Sequence, residues 1–267
     1  MTGDDLFDYF GFSTSLSHDG SIVAVGAIQH VGAEGKRYGG YVKVHRFSNG
    51  IWNPVGSKIH GERDGSKFGN SISMSSNGLV LAVGASHHTG SSEEQGMVKV
   101  FHFQDNDWAQ VGEEIEGEPT SKSGTAISLA GDGMTVAIGS PSHYHERGHT
   151  RVYRYREGKW IKVGQDLVGE SKADGAGSSV ALSGNGATLV VGTHQPHSTG
   201  HVKVLRYDYE SSEWLLVSNI MEGSGVSENY GSSVTVSEDG TRVAVSAPFA
   251  RAGEYTQAGV VKVYDLK

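Results

Sequence analysis

An Asp-Gly or Asn-Gly pair recurs five times at nearly constant spacing: Asp19-Gly20, Asn77-Gly78, Asp132-Gly133, Asn185-Gly186 and Asp239-Gly240. The glycines of successive pairs lie 58, 55, 53 and 54 residues apart, and a second series, Gly11, Gly69, Gly124, Gly177 and Gly231, runs nine residues ahead with the same spacings. Two markers locked in phase over most of the chain describe one supersecondary unit copied five times. A period above about 40 residues built from short strands points to a β-propeller.

Each copy reads as four strands. In the second, Ser71-Ile72-Ser73-Met74 leads through Asn77-Gly78 into Leu79-Val80-Leu81-Ala82-Val83. Asn-Gly supplies the positive φ angles of a two-residue hairpin, so these strands are expected to pair antiparallel. A loop of variable length follows, then Met97 to Phe103, a tight turn, and a shorter strand beginning at Trp108. Trp52, Trp108, Trp160 and Trp214 share that last position, and blade-to-blade packing is the expected role. No stretch repeats apolar residues at helical spacing for three turns, so the class is all-β. Alternate apolar residues of the second strands (Val23, Val25, Leu81, Val83, Val136, Ile138, Leu189, Val191, Val243 and Val245) are expected to be buried.

The repeat boundaries are approximately 3–60, 61–116, 117–168, 169–222 and 223–267, forming a single domain over 1–267. The first three strands occur five times but the Trp-bearing strand only four, so the last blade lacks its outer strand. Two readings follow: a five-bladed ring with one three-stranded blade, or a segment of a longer array. Known propellers have four to eight blades, which favours the ring. With the last blade lacking its outer strand, the edge from Val260 to Asp265 is expected to be free for another chain to pair with.

Composition excludes several partners. Gly at 39 of 267 concentrates at the repeated turns, and Pro is only 5, as suits strands that donate hydrogen bonds on both edges. A net charge of −8 argues against nucleic acid, whose phosphates are met by clustered Lys and Arg. No apolar run approaches the ~20 residues of a membrane span, so membrane insertion is not expected. The opening residues Met1 to Asp5 have neither the basic region nor the apolar core of a signal peptide. With no cysteine, disulfides and thiolate metal sites are excluded.

Phe10-Gly11 and Phe68-Gly69 opening one strand, with Gly26-Ala27 and Gly84-Ala85 closing the next, resemble the FG-GAP repeat of integrin-α-type β-propellers. Gly139-Ser140-Pro141 and Ser246-Ala247-Pro248 come closest to the second half of that motif, and Tyr230-Gly231 keeps an aromatic residue where Ser123-Gly124 and Ala176-Gly177 do not. The family's calcium loops are similar to Asp-x-Asp-x-Asp-Gly. Ser17-His18-Asp19-Gly20 and Ser237-Glu238-Asp239-Gly240 hold too few carboxylates for that, so calcium binding is not carried over.

Function is expected on the face carrying the loops between second and third strands. Nine of the 13 histidines lie in or beside these loops, and His30, His88 and His143 each stand four residues after a strand-ending glycine. The candidate ligand-binding residues are His30, His88, His143, His145, His197, Tyr38, Tyr144 and Tyr255, the tyrosines as stacking surfaces. Neutral imidazoles among carboxylates suit a borderline metal or a polar ligand, but no pair has ligand spacing on a regular element, and no metal or cofactor is assigned. Lys43, Lys99, Arg151, Lys203 and Lys262 occupy one register position, where each stem is expected to pack along its blade and reach a carboxylate. No Ser/His/Asp or phosphate-loop motif occurs. The expected function is therefore a non-enzymatic binding or scaffold module for a protein or glycan surface. The alternatives are a glycan-processing enzyme with a central carboxylate site and a structural subunit of a larger assembly.

Overall fold

A computed structural model describes every residue except 32–36, 91–92, 194–198, 218–220, 226 and 267, and the side chains of His30, Val31, Arg37 and Tyr38 also lie outside the description. Five antiparallel sheets stand as blades around one axis. Blade 1 runs outward through Ser13–Leu16, Ile22–Ala27, Tyr41–Ser48 and Ile51–Pro54. Blades 2, 3 and 4 repeat the order from Phe68–Met74, Ala126–Leu129 and Ala176–Leu182 to the outer strands Asp107–Gln110, Lys159–Lys162 and Glu213–Leu216. After each of those four outer strands, a two-residue segment such as Ile59–His60 returns to pair with the third strand before the chain crosses to the next blade. Blade 5 has three strands, Val234–Val236, Arg242–Ala247 and Val260–Asp265.

Strands one and two pair as expected, but the turn between them differs from the two-residue hairpin. Ser17 and Ile22 close a four-residue loop, and within it Gly20 N–H donates to Ser17 O. Gly20, Gly78, Gly133, Gly186 and Gly240 have positive φ while the preceding Asp or Asn does not, which gives a type I turn followed by a left-handed glycine. The Asx side chain is a local brace: Asp19 Oδ1 accepts from Ser17 Oγ at 2.6 Å and Ser21 N–H at 2.9 Å, and Asn77, Asn185 and Asp239 take equivalent bonds from Ser75, Ser183 and Ser237.

Apolar burial is divided among four slabs, each between consecutive blades. One face of blade 1 (Ile22, Ala24, Val42, Val44) meets Ile72, Met74, Leu81 and Val83 of blade 2, and the pattern recurs at the next three seams. All ten second-strand residues named above are buried. Polar links run through the same seams. At the axis, backbone N–H groups of His18, Ser76, Gly131 and Gly184 donate to the carbonyls of Ser76, Gly131, Gly184 and Glu238 at 2.8–2.9 Å. At the outer edge Trp108, Trp160 and Trp214 donate their indole N–H to Val55, Val111 and Val163 of the preceding blade.

The glycines near the ends of the second strands are explained by close approach to the second glycine series of the next blade. A Cβ on Gly26, Gly84, Gly139 or Gly192 would lie 2.3, 2.4, 2.0 or 2.3 Å from the carbonyl oxygen of Gly69, Gly124, Gly177 or Gly231 in the next blade. The fifth seam has no such lock. Ser246 replaces the strand glycine, and a Cβ on Gly11 would meet nothing within 4 Å. Among the described residues no backbone hydrogen bond joins blade 5 to blade 1, and no indole N–H of Trp52 is donated. Residues 1–8 form no strand, so they do not supply the missing outer strand of blade 5.

Gly84→Ala is expected to destabilise the fold by about 1–3 kcal/mol, because backbone on both sides of the seam must move. Ser246→Ala, at the equivalent but unlocked position, should change stability by no more than about 1 kcal/mol. Denaturant melts of the two variants compare them directly. Equal losses would mean that the fifth seam is as tight as the others.

Candidate functional site

In blades 1 to 4 the segment entering the blade brings a carboxylate to the register cation of the third strand. Lys43 pairs with Asp4, Lys99 with Glu62 at 2.5 Å, Arg151 with Glu118 at 2.6 Å and Lys203 with Glu170 at 3.0 Å. Ser224 stands at the corresponding place in blade 5, and there the Lys262 ammonium lies 5.4 Å from the Tyr230 ring centre. All four carboxyls are held below their ordinary range. The hydrogen bond from Lys99 does so for Glu62 and that from Lys203 for Glu170, whereas for Asp4 and Glu118 burial pushes upward and is outweighed by Lys43 with Lys58 and by Arg151. A glycosidase acid requires the opposite shift. These four carboxyls are built as anions that hold the rim together.

Blade 3 departs from its neighbours. His143 opens the turn between second and third strands, where Tyr144, His145 and Glu146 follow with φ of 47°, 57° and 61°, a left-handed run rather than a right-handed helix. This returns the chain so that His149, the first residue of the third strand, faces His143 with ring centres 4.3 Å apart and planes at 67°. His143 Nδ1 lies 2.8 Å from Glu118 Oε2. The other oxygen of Glu118 accepts from Arg151 Nη2 at 2.6 Å, and the same nitrogen donates to Asp166 Oδ2 at 2.6 Å. A nitrogen of each imidazole and an oxygen of Glu118 lie within 4.8 Å of one another, a spacing from which a metal ion could be held.

The other sequence candidates scatter. His88 is buried, with burial first and Arg63 next pushing its imidazole towards the neutral form. His145, Tyr144 and Tyr255 are exposed. The backbones of His30 and Tyr38 pair across a short ribbon, but their side chains lie outside the description, as does His197 altogether. Glu118, His149 and Arg151 were absent from the sequence-based candidates. The signal for them was available: Glu118 follows Gly117 in register with Asp4, Glu62 and Glu170, and Arg151 belongs to the cation series.

On the opposite face, Leu16, Met74, Leu129, Leu182 and Val236 converge on the axis with His18, Ser76 and Glu238, around a cavity of about 140 Å³. Glu238 Oε1 accepts from Ser76 Oγ across it at 3.2 Å. The turn carboxylates beyond are already committed. Hydrogen bonds from Ser17 and Ser21 push Asp19 down to about 2, and those from Ser237 and Thr241 do the same for Asp239.

Solved structures resemble this arrangement. A structure described as a "putative 6-phosphogluconolactonase" from Bacteroides uniformis aligns over 96% of this chain and 80% of its own, with 12% identity and a TM-score of 0.61. TolB from Acinetobacter baumannii aligns over 95% of this chain and 51% of its own, with 12% identity and a TM-score of 0.52, so the chain spans about half of TolB's length. The fold is a β-propeller. At such identity the likeness carries architecture alone. No protein-family model and no curated protein matches the propeller, so the FG-GAP resemblance is supported only as far as propeller-type architecture.

His149 gives the rim a measurable pH response. Burial, reinforced by Arg151 and His143, pushes its imidazole down to about 4, whereas an unfolded histidine titrates near ~6.5. Between those values the unfolded chain binds more protons, so the His149 contribution is complete above about pH 6.5 and is lost as pH falls towards 4. In chelator-containing buffer, acidification to about pH 5 should remove about 2 kcal/mol through this residue. His149→Asn should flatten that part of the melting-temperature profile. Parallel profiles for the two proteins would show that His149 is not held neutral.

Proposed function

We propose that this propeller is a non-enzymatic binding or scaffold module whose principal partner is another blade surface, supplied by a second copy of the same chain. One observation carries the reading. Val261 and Val263 of blade 5 are 68% and 66% exposed, while Val202 and Val204 at the same positions of blade 4 are 0% and 1% exposed against blade 5. Phe12 and Leu16 of blade 1 are likewise exposed, although Met74, Leu129 and Leu182 at the Leu16 position of blades 2, 3 and 4 are buried. The four internal seams are each formed by these same two kinds of face, so blade 5 of one copy and blade 1 of another present a matched pair. Fully burying one such valine stabilises by roughly 1.5–3 kcal/mol. The outer backbone edge of Val260–Asp265, which pairs with no other strand among the described residues, borders that face. Such a contact is head-to-tail, and it builds rings or open arrays according to its rotation.

The loop-rich face is the second contact surface, for a protein or glycan, with Tyr144, His145 and Tyr255 exposed. The alternative of an enzyme draws on the lactonase description of one similar structure, and the lowered rim carboxyls weigh against its glycan-processing form. Sedimentation over the micromolar range should give a mass that rises with concentration, and Val261→Glu with Val263→Glu should return it to that of one chain. A monomer at every concentration would overturn self-association as the scaffold contact. Hydrolysis of 6-phosphogluconolactone by the purified chain would replace the binding reading with the enzymatic one.

A further inference from the structure

Blade 3 sets two histidines beside its rim ion pair, and neither the seam nor that pair requires them. The geometry points to a binding site for a borderline divalent metal ion, zinc in the first instance, held by Glu118, His143 and His149. The three ligands come from separate segments: the crossover, the left-handed turn and the start of the third strand. Their ligand atoms already lie within 4.8 Å of one another.

An independent observation supports this assignment. His149 is 2% exposed, and its Nδ1 has no hydrogen-bond partner. A buried, unpaired ring nitrogen is a destabilising arrangement that proteins rarely leave uncompensated. A cation between the two imidazoles would compensate it. The donor set selects the ion: two nitrogens and one carboxylate oxygen suit zinc or nickel and leave a fourth position for water or a ligand, whereas calcium and magnesium take oxygen donors. Arg151 supports the site from outside. By holding Glu118 Oε1 and Asp166, it turns Oε2 towards His143, the orienting role that outer residues play around bound metals.

The neighbouring blades mark the site as particular to blade 3. Met97 occupies the His149 position in blade 2, so the second imidazole of the blade 3 cluster has no counterpart there. In blade 4, His201 stands at that position with its Nδ1 3.7 Å from Asp174 Oδ1. Neither set is among the described groups of three ligands, which consist of the blade 3 cluster alone.

The test is titration of chelator-stripped protein with zinc chloride, read by calorimetry and by melting temperature. One equivalent should bind saturably, raise the melting temperature and be displaced by nickel but not by excess calcium. His143→Asn and Glu118→Gln alter half-buried or exposed side chains and should retain the fold by circular dichroism while weakening zinc binding at least ~10-fold. His88→Asn in blade 2 should leave the affinity unchanged. Absence of zinc uptake, or uptake that persists unweakened in both variants, would overturn the assignment. Visible absorption of the cobalt-substituted protein gives a readout independent of stability, and a spectrum unchanged by His143→Asn would likewise reject His143 as a ligand.

Discussion

The contact on which this propeller depends is the approach of backbone to backbone at paired glycines, Gly26 to Gly69 and its three counterparts. With no Cβ on the second strand, the carbonyl of the next blade comes close enough for the two sheets to nest. The apolar slabs, axial hydrogen bonds and tryptophan links then fall into register. Sheet faces bearing mainly Val, Ala and Ile are thin, and they exclude water only when the backbones are this near. Packing at the seams and the recurrence of these eight glycines are therefore one fact viewed at two scales.

Much of this architecture was legible because its signals repeat. Turn glycines, strand glycines, tryptophans and register cations each recur at one period, and every copy corroborates the others. The same redundancy made the buried valines of the second strands readable. What escaped was geometry that depends on partners far apart in sequence. Asp19-Gly20 reads as a two-residue hairpin until Ser17 is seen to pair with Ile22 around a wider loop. Glu118 lies 33 residues from Arg151, and only the crossover brings them together. The open fifth seam left a local trace, Ser246 in place of a glycine, whose meaning emerges only once the other four glycines are known to touch a neighbouring carbonyl.

The rim divides its charges between two uses. In four blades a cation and a carboxylate neutralise one another across the crossover, fixing where the chain passes from blade to blade. In blade 3 the same pair is drawn into a larger group, because the left-handed turn brings His143 back over His149 and Glu118. A repeated structural device thus becomes an asymmetric site through one unusual loop beside a strand histidine. The axis, in contrast, receives one apolar residue from every blade, and Glu238 meets Ser76 across it.

The chain of axial hydrogen bonds from His18 to Glu238 has two ends rather than none. A closed ring must break two seams before any blade comes free, so its blades melt together. An open arc behaves as a linear array of nearest neighbours, in which each terminal blade is retained by a single interface. Amide protons in the inner strands of blades 1 and 5 would then exchange ahead of those in blade 3, whose two neighbours shield it from either side. Cooperativity would then be graded along the sequence, with the most persistent structure at the middle blade.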